Sequence, residues 1–301
     1  MVWGLSMKNS SLALTTAIAF FGLGFPMVVA AQTAPLHVLL YSDAGFATPS
    51  QQSIADAMFL RHQEMRFDFA ISAGDNNQGG YTDFFTIQET FEAPYQALIK
   101  DGVRFYAALG NHDHMLYRDS KELAYSSQVD AENLNVGGFV MPSPDFVVKK
   151  PGLKIVFLDV ATQFMKLNWD TARQAFAEQE ICDHSEKFLA VVAHYPLWST
   201  GWHGDTVTLQ EKLLPILEKC PAEFVIAGHD HHAELFHEGN TRYLVVGNAG
   251  EVRDNQSVSA KQSVFRTNAL GFAELFIAEN TAKIVFRDAT NAVVFEENVE
   301  K

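Results

Sequence analysis

Five short segments of the sequence combine residue types that bind metal ions, and each follows a run of apolar residues. They are Ser42-Asp43, Gly74-Asp75-Asn76, Gly110-Asn111-His112-Asp113, His194-Tyr195-Pro196 and Gly228-His229-Asp230-His231. Carboxylate and amide oxygens suit harder ions, whereas imidazole nitrogens suit zinc, iron or manganese. The Gly-His-x-His spacing is favourable because two imidazoles two residues apart on an extended segment can reach one metal cluster. The residue types therefore indicate metal-dependent chemistry.

The apolar runs that precede these segments are predicted β-strands of an α/β fold. Helical patterns separate them, and several runs are apolar almost throughout, as in strands buried on both faces. The predicted strands are Leu36–Tyr41, Phe69–Ala73, Arg104–Leu109, Lys154–Leu158, Phe188–Ala193, Glu223–Ala227 and Tyr243–Val246. Ligands of open α/β sheets bind outside the carboxyl ends of the strands, so five such ends would bring the metal-binding residues together. The alternative, five buried polar groups that are each satisfied separately, would need this convergence by coincidence.

The region after Leu270 has a different pattern, in which apolar and polar residues alternate over short segments. It predicts strands at Phe272–Ile277, Lys283–Asp288 and Val293–Glu297. We expect them to form an antiparallel edge of the same domain, because a separate unit of about 30 residues would bury too little core. The sequence therefore predicts a single domain over residues 32–301.

In its metal-binding segments the sequence resembles the calcineurin-like metallophosphoesterases, and among them the small purple acid phosphatases of the tartrate-resistant type. The similarity extends from about Leu36 to Asn255. The motifs that carry it are Ser42-Asp43-Ala44-Gly45, Gly74-Asp75-Asn76, Gly110-Asn111-His112-Asp113-His114, His194-Tyr195-Pro196-Leu197-Trp198-Ser199 and Gly228-His229-Asp230-His231-His232. The fourth of these, followed by His203-Gly204, favours the acid-phosphatase branch. The resemblance implies a metallophosphoesterase-type β-sandwich of βαβαβ units flanked by helices, with its site at the carboxyl ends of the strands.

Six residues match the family's ligands for two metal ions per chain. The resemblance implies Asp75 as the bridge between the ions, Asp43 and His231 on the first ion, and Asn111, His194 and His229 on the second. Iron, zinc and manganese are all compatible with this mixture of oxygen and nitrogen donors.

Two further histidines match positions that act on the substrate in the family. His112 is expected off the metals, where it would act as an electrophile or as the acid for the leaving group. His203 matches a position that contacts the substrate phosphate. Asp113 is expected to orient an imidazole, and His114 receives no role.

One position departs from the pattern of purple acid phosphatases. These proteins have a tyrosine three residues after the bridging aspartate, and this chain has Gln78 there. A tyrosinate holds ferric iron and gives the family its colour, which a glutamine side chain cannot do. Tyr81 would replace it only if the Gly79-Gly80 turn folded back. We therefore expect a divalent metal pair and a colourless or weakly coloured protein.

The activity that the resemblance implies is hydrolysis of phosphomonoesters. A metal-bound hydroxide would attack phosphorus in line with the leaving oxygen, and a pair of ions about 3.5–4 Å apart would hold the phosphoryl group. The metal ligands are equally compatible with a phosphodiesterase or nucleotidase, although His203 favours monoesters. A non-catalytic metal-binding protein with the same fold is the alternative outside the enzymes.

Composition narrows the choice of partners. The 301 residues contain 22 Lys and Arg against 36 Asp and Glu, which gives a formal charge of −14. This balance disfavours nucleic acid and anionic membrane surfaces. Bound metal cations would still attract phosphate locally. The expected partner is therefore a small phosphate ester and not nucleic acid, while the oligomeric state stays open.

The N-terminus has the pattern of a secretory signal peptide over residues 1–31. Met7-Lys8 supplies a basic start, the apolar run Leu12–Ala31 follows it, and Val29-Ala30-Ala31 offers small residues for cleavage after Ala31. An uncleaved membrane anchor is the alternative. We expect a periplasmic or secreted protein that has no stable membrane association after cleavage.

The two cysteines of the chain, Cys182 and Cys220, follow the predicted helices Ala172–Ile181 and Leu209–Lys219. In an oxidising compartment they either pair or remain half-buried thiols. Their spacing in the sequence leaves both states open, because it does not give the distance between the two Cα atoms.

The remaining histidines and the tryptophans near the site motifs receive structural interpretations. Surface or strand-edge positions are expected for His37, His62, His184, His232 and His237. Trp198 and Trp202 flank the loop that carries His203. We expect them to pack within that loop in preference to forming a platform for substrate, because aromatic side chains mostly contribute buried area.

Overall fold

The computed structural model describes residue 1 and residues 35–79, 85–131 and 138–301. The predicted signal peptide, apart from Met1, and Tyr81 lie outside these residues. Within the described ranges, no helix is long and apolar enough to cross a membrane.

Fourteen strands and five α-helices make up the described part of the chain. The strands are β1 (Leu36–Tyr41), β2 (Phe69–Ser72), β3 (Phe105–Ala107), β4 (Phe139–Val140), β5 (Phe146–Lys150), β6 (Leu153–Leu158), β7 (Phe188–Ala193), β8 (Phe224–Ala227), β9 (Ala233–Glu238), β10 (Thr241–Val246), β11 (Ser263–Thr267), β12 (Gly271–Ile277), β13 (Thr281–Asp288) and β14 (Val293–Glu300). The helices are α1 (Pro49–Glu64), α2 (Ala93–Lys100), α3 (Arg118–Ala131), α4 (Thr171–Cys182) and α5 (Val207–Lys219). A π-helical turn (Gln88–Glu92) precedes α2, and a 3-10 turn (Met115–Tyr117) precedes α3.

The strands form two mixed sheets. The first has the order β14-β13-β12-β1-β2-β3-β4, and the second has the order β11-β9-β10-β8-β7-β6-β5. In the first sheet β1, β2 and β3 are parallel neighbours, and in the second β6, β7 and β8 are parallel neighbours. Parallel neighbours point the same way, so their carboxyl ends are collected on one edge of each sheet.

Side chains of the second sheet face two different apolar layers. Ile155 and Phe157 of β6 belong to the core that also contains Leu40 of β1. Val156 and Leu158 of the same strand belong to a second core, which includes side chains of α4 and α5. Successive side chains of a strand point to opposite faces, so this strand is buried on both. The result is the predicted α/β architecture, two packed sheets flanked by helices.

All ten predicted strands are confirmed, with ends that differ by at most three residues. Four strands in the described part of the chain were not predicted, namely β4, β5, β9 and β11. Three of them lie at the edge of a sheet and the fourth lies beside an edge. Edge strands carry more polar and charged residues than central ones, which hides the apolar pattern.

The two cysteines form a disulfide. Cys182 ends α4 and Cys220 directly follows α5, and their Cα atoms are 5.2 Å apart. Both helices pack on the same outer face of the second sheet. That shared face brings two helix ends together that are 38 residues apart in the sequence.

The expectation of surface or edge positions is wrong for three histidines, His37, His62 and His232, which are buried. Burial is tolerated because their rings have polar partners inside the fold. The ring of His37, for example, lies between the carbonyl oxygen of Arg66 at 3.0 Å and the carboxylate of Glu274 at 2.9 Å.

Glu274 is the centre of a buried charge network in the first sheet. Its side chain is fully buried. Besides His37, it accepts hydrogen bonds from Arg61 Nε at 2.6 Å and from Arg287 Nε at 2.5 Å. Burial acts to raise the pKa of Glu274, but these donors hold it at about 2. The carboxylate therefore stays ionised inside the protein, because each of its oxygens is paired.

Candidate metal centre

The six predicted metal ligands follow strands of both sheets. Asp43, Asp75 and Asn111 come after β1, β2 and β3 of the first sheet. His194 directly follows β7 of the second sheet, and the remaining two ligands, His229 and His231, follow β8. All six side chains belong to buried residues. The site therefore lies where the carboxyl ends of the two sheets meet.

The structure brings the predicted ligands into contact. Asp43, Asp75 and His194 offer ligand atoms that all lie within 4.8 Å of one another. His194 Nε2 is 3.4 Å from Asp75 Oδ2 and 3.2 Å from Asn111 Oδ1. His231 Nε2 is 3.6 Å from Asp43 Oδ1.

The sixth predicted ligand, His229, closes the group. Its ring centroid is 5.2 Å from that of His194, at an interplanar angle of 69°. One cluster therefore contains all six residues that the sequence singled out.

Three of these residues have a left-handed backbone. The φ angles are 56° at Asp43, 54° at Asp75 and 70° at His229. Residues other than glycine adopt this conformation at a cost, and such strain concentrates at functional sites. Here it turns the chain sharply at the strand end, which aims the side chain into the space between the sheets.

Two glycines allow the site loops to approach closely. A β-carbon at position 110 would lie 2.1 Å from Asp75 Oδ1, and one at position 228 would lie 2.4 Å from Asp43 Oδ2. Both distances are far shorter than any non-bonded contact. Gly110 and Gly228 are therefore required because the carboxylates lie directly against the backbone.

Hydrogen bonds hold the ligands in these orientations. The backbone N–H of His229 donates to Asp43 Oδ2 at 2.8 Å, and that of His112 donates to Asp75 Oδ1 at 2.9 Å. His194 Nδ1 lies 2.9 Å from the carbonyl oxygen of Ala73. When Nδ1 donates to that carbonyl, Nε2 is left to face the carboxylates as a free ligand nitrogen.

The two carboxylates have opposite electrostatic environments. Burial raises the pKa of Asp43 to about 8, and the neighbouring Asp75 adds to this effect. Burial also acts to raise the pKa of Asp75, but the imidazole of His194 outweighs it and holds this pKa well below the usual range. Burial acts to lower the pKa of His194 in turn, and Asp75 raises it to about 10.

The other two imidazoles are neutral. Burial lowers the pKa of His229 well below its ordinary value, and it lowers that of His231 to about 3. A neutral imidazole is the form that binds a metal ion. Metal binding at His194 would displace the proton that Asp75 favours there, because a ligand nitrogen must be deprotonated.

These residues fit a metal centre. Among the described residues, the ion pairs of Asp43 and Asp75 are with histidines. His231 Nδ1 is buried and has no hydrogen-bond partner within the described part of the chain. The donor set consists of two buried carboxylates, an amide and three imidazoles. Because no Lys or Arg of the described residues pairs with these carboxylates, the set suits one or two cations.

Gln78 lies inside this cluster. Its side chain is buried, and its Nε2 donates to Asp43 Oδ1 at 3.2 Å. The position where purple acid phosphatases have a tyrosine is thus occupied by an amide that contacts a predicted ligand. Tyr81, the alternative considered from the sequence, falls outside the described residues.

The two histidines expected to act on the substrate lie beside the cluster. The ring of His203 stacks on that of His229, with centroids 4.1 Å apart. Among the residues that the structure describes, His112 Nδ1 is buried without a hydrogen-bond partner, and the backbone N–H of His112 donates to Asp75.

Asp113, which was expected to orient an imidazole, ties two site loops together. Its carboxylate accepts the backbone N–H groups of Asn77 at 2.9 Å and Gly110 at 2.8 Å. It therefore fixes the loop after β2 against the loop after β3. His114 pairs with Asp159 at 2.8 Å.

Sequence reasoning missed the contribution of Asp230. This carboxylate is buried, and its Oδ1 accepts the backbone N–H of His203 at 2.8 Å. Its position between two ligand histidines in the Gly-His-Asp-His segment was the available signal. Side chains that alternate with ligands on such a segment point away from the metals and can hold the neighbouring loop.

Comparison with known proteins identifies the family. A model of the calcineurin-like phosphoesterases matches residues 36–233. The chain belongs to this family. It is accordingly a metal-dependent phosphoric ester hydrolase with the predicted fold and a candidate metal site.

Tartrate-resistant and purple acid phosphatases are among the relatives of this chain. Tartrate-resistant acid phosphatase type 5 of Oryctolagus cuniculus is 27% identical over 292 residues, which covers 86% of this chain and 87% of that protein. Purple acid phosphatase 3 of Arabidopsis thaliana is 26% identical over 273 residues, and the match covers 81% of this chain and 72% of that protein. Among solved structures, GAP50, the anchor in the inner membrane complex of Plasmodium, has a TM-score of 0.75 at 17% identity and covers 89% of both chains. This last similarity concerns the fold.

Proposed function

We propose that the chain is an exported phosphatase with a dinuclear metal centre that hydrolyses phosphomonoesters. The observation that carries this proposal is the buried cluster of Asp43, Asp75 and His194 at the meeting point of both sheets. Family membership and the similarity to tartrate-resistant and purple acid phosphatases support it.

The proposed metal ligands divide into two groups around one carboxylate. Asp75 would bridge the ions, with Asp43 and His231 on one side and Asn111, His194 and His229 on the other. When bound, the two ions would supply Lewis acidity toward the phosphoryl oxygens and activate the attacking water. The hydrogen bonds to Asp43, Asp75 and His194 keep these ligands preorganised for that task.

Two residues outside the ligand set would act on the substrate. His203, stacked on His229, would contact the phosphate, and burial lowers its pKa. His112 would protonate the leaving oxygen, a role that its partnerless ring nitrogen supports. Asp230 would keep His203 in place through the backbone N–H.

The proposed substrate is a small ester. The net charge of −14 repels long polyanions, whereas bound cations act only over the short range of the site. We expect slow cleavage of long DNA or RNA relative to small phosphomonoesters. Rapid cleavage of either nucleic acid would contradict this part of the proposal.

Gln78 supports a divalent metal pair of iron, zinc or manganese. An amide that donates to Asp43 offers no tyrosinate to a ferric ion. The protein purified with its metals should therefore lack a strong visible charge-transfer band, and Gln78→Tyr reconstituted with iron should gain one. A band in the unmodified protein, or none in the variant despite bound iron, would count against this interpretation.

The test of the function measures metals and turnover on the same sample. We expect about two metal ions per chain by mass spectrometry, and faster hydrolysis of p-nitrophenyl phosphate than of its bis ester. Asp75→Ala should lose both metal and activity, whereas Asp56→Ala, an exposed carboxylate on α1, should keep both. Preference for the diester would favour the phosphodiesterase, and metals without turnover of either ester would favour a binding protein.

Export is tested separately. Expression of the full chain should yield mature protein that begins at Gln32, as determined by N-terminal sequencing. Retention of residues 1–31 in protein recovered from the membrane fraction would instead support the uncleaved anchor.

A further inference from the structure

An exposed tryptophan stands beside the proposed phosphate contact. Trp202 is 57% exposed, whereas Trp198, in the same loop, is 6% exposed and packs edge-on against Tyr243. Trp198 is therefore buried, as expected of a packing residue, whereas Trp202 contacts His203 of its own loop and leaves more than half of its surface exposed. The exposed part of the indole is available to a ligand.

Trp202 continues a column of rings that begins at the metal centre. The ring of His203 is stacked on that of the proposed ligand His229, with centroids 4.1 Å apart. The ring of Trp202 is nearly parallel to that of His203, with a centroid distance of 6.0 Å and an interplanar angle of 12°. The column leads from a buried imidazole to an exposed indole. Trp202 is therefore the exposed ring next to His203, the proposed phosphate contact.

Arg253 brings a cation to the same place. Its guanidinium carbon lies 5.5 Å from the centroid of the Trp202 ring. Its backbone N–H donates to the carbonyl oxygen of His231 at 2.9 Å, which fixes Arg253 next to a proposed ligand. Glu251, the carboxylate that pairs with it, is 3.9 Å away, and the Arg253 side chain remains 30% exposed.

The loops that carry Trp202 and Arg253 are fastened to each other. The carboxylate of Asp205 accepts the backbone N–H of Ser199 at 3.0 Å and that of Ala260 at 2.8 Å. The backbone N–H of Ser257 donates to the carbonyl oxygen of Thr200 at 2.9 Å. The two loops are therefore held together before any ligand arrives, which reduces the entropic cost of bringing the indole and the guanidinium to one ligand.

We propose that Trp202 and Arg253 form a leaving-group subsite that selects phosphate esters whose leaving group carries an aromatic ring. This inference rests on the proposed phosphatase function of the neighbouring metal centre. An indole and a planar guanidinium both bind aromatic rings by stacking. Aryl phosphates and nucleotides share this chemistry, whereas aliphatic phosphates such as glycerol 2-phosphate lack it.

The kinetic test compares the chain with its variants on three esters, namely phenyl phosphate, adenosine monophosphate and glycerol 2-phosphate. Trp202→Ala should lower kcat/KM about 3- to 10-fold for a ring-bearing ester and leave glycerol 2-phosphate within about twofold. Trp202→Phe should retain most of the selectivity because it keeps a ring. Val258→Ala is the matched control, since Val258 is 95% exposed in the neighbouring loop.

Comparing the losses on the two ring-bearing esters shows whether the subsite binds an aryl leaving group or a nucleoside. A selective loss confined to phenyl phosphate would identify aryl esters, and one confined to adenosine monophosphate would identify nucleotides. Arg253→Met should lower kcat/KM for the same ring-bearing esters as Trp202→Ala, but by a smaller factor. Equal losses on all three esters, or no loss in Trp202→Ala, would overturn the subsite.

Binding without turnover gives an independent measurement. By calorimetry of the protein loaded with its metals, phenylphosphonate should bind several-fold more tightly than methylphosphonate, and Trp202→Ala should remove this difference. No preference in the unmodified protein would overturn the subsite. If the unmodified protein hydrolyses none of the esters, the proposed function fails, and a phenylphosphonate preference that depends on Trp202 would still support the subsite.

Discussion

Replacing Asp230 by alanine should loosen the loop that carries His203 while leaving the six proposed metal ligands unchanged. Asp230 is 1% exposed and lies between His229 and His231 in the sequence. Its Oδ1 accepts the backbone N–H of His203 at 2.8 Å, and its Oδ2 accepts the hydroxyl of Ser199 at 2.5 Å. One carboxylate therefore ties the loop that carries His203 to the segment that supplies two proposed ligands.

The expected magnitude follows from these two bonds. A hydrogen bond to a charged group contributes about 1.5–3 kcal/mol, so the loss of both bonds in Asp230→Ala should lower the free energy of unfolding by about 3–6 kcal/mol. A displacement of His203 by about 1 Å should lower kcat by about 10- to 100-fold. Asp230→Asn keeps an acceptor for the His203 N–H and should lose much less of both.

Urea unfolding measures the stability change, and steady-state hydrolysis of p-nitrophenyl phosphate at verified metal content measures kcat. Ser199→Ala is the control, because it removes the hydroxyl bond to Asp230, together with the bond that this hydroxyl accepts from the Gly201 N–H at 2.9 Å, and leaves the bond from Asp230 to His203. It should lower the free energy of unfolding by about 2–4 kcal/mol and keep kcat within about threefold. An unchanged kcat in Asp230→Ala, or equal losses of kcat in both variants, would refute the argument that Asp230 positions His203.

Three further predictions concern the scaffold. The pKa of Glu274 is held at about 2 against an ordinary 4.5. Its ionised form therefore adds on the order of 3 kcal/mol to the free energy of unfolding above pH 4.5, and this contribution is lost as the pH falls toward 2. Glu274→Gln should accordingly lower Tm at pH 7, by a margin that shrinks at low pH, and a pH-independent margin would contradict this. Replacing Cys182 and Cys220 together by serine should lower the free energy of unfolding by about 4 kcal/mol, as expected for a separation of 38 residues. Reductant should then lower the Tm of the unmodified chain and leave that of the double variant unchanged. Gly110→Ala should abolish metal binding and activity, because its β-carbon would lie 2.1 Å from Asp75 Oδ1, and full metal content in this variant would show that the contact can relax.

The order of strands and site segments was accessible from the sequence because both signals are local. A continuous apolar run such as Phe188–Ala193 predicts a strand buried on both faces, and the His194 that follows it must lie at the carboxyl end. Once parallel strands are assumed, topology alone places such ends at one edge. The cluster of Asp43, Asp75 and His194 is the outcome that this reasoning predicted.

The interactions that the sequence did not predict join residues far apart in the chain. His37 reads as a polar residue on a strand, and its burial depends on Glu274, which lies 237 residues away. The contact of Gln78 with Asp43 likewise depends on how the loop after β2 folds over β1. Neither partner leaves a signal in the local pattern.

By itself, the sequence determined the fold class, the metal-binding residue types and the strand ends at which they stand, because strand periodicity and turn residues act over a few positions. Tertiary structure alone decided that Cys182 meets Cys220, that Trp198 is buried while Trp202 is exposed, and that Arg253 reaches the same indole. The reason is physical. These outcomes depend on which helices share a face and which loops are fastened together, and both are set by the packing of the two sheets.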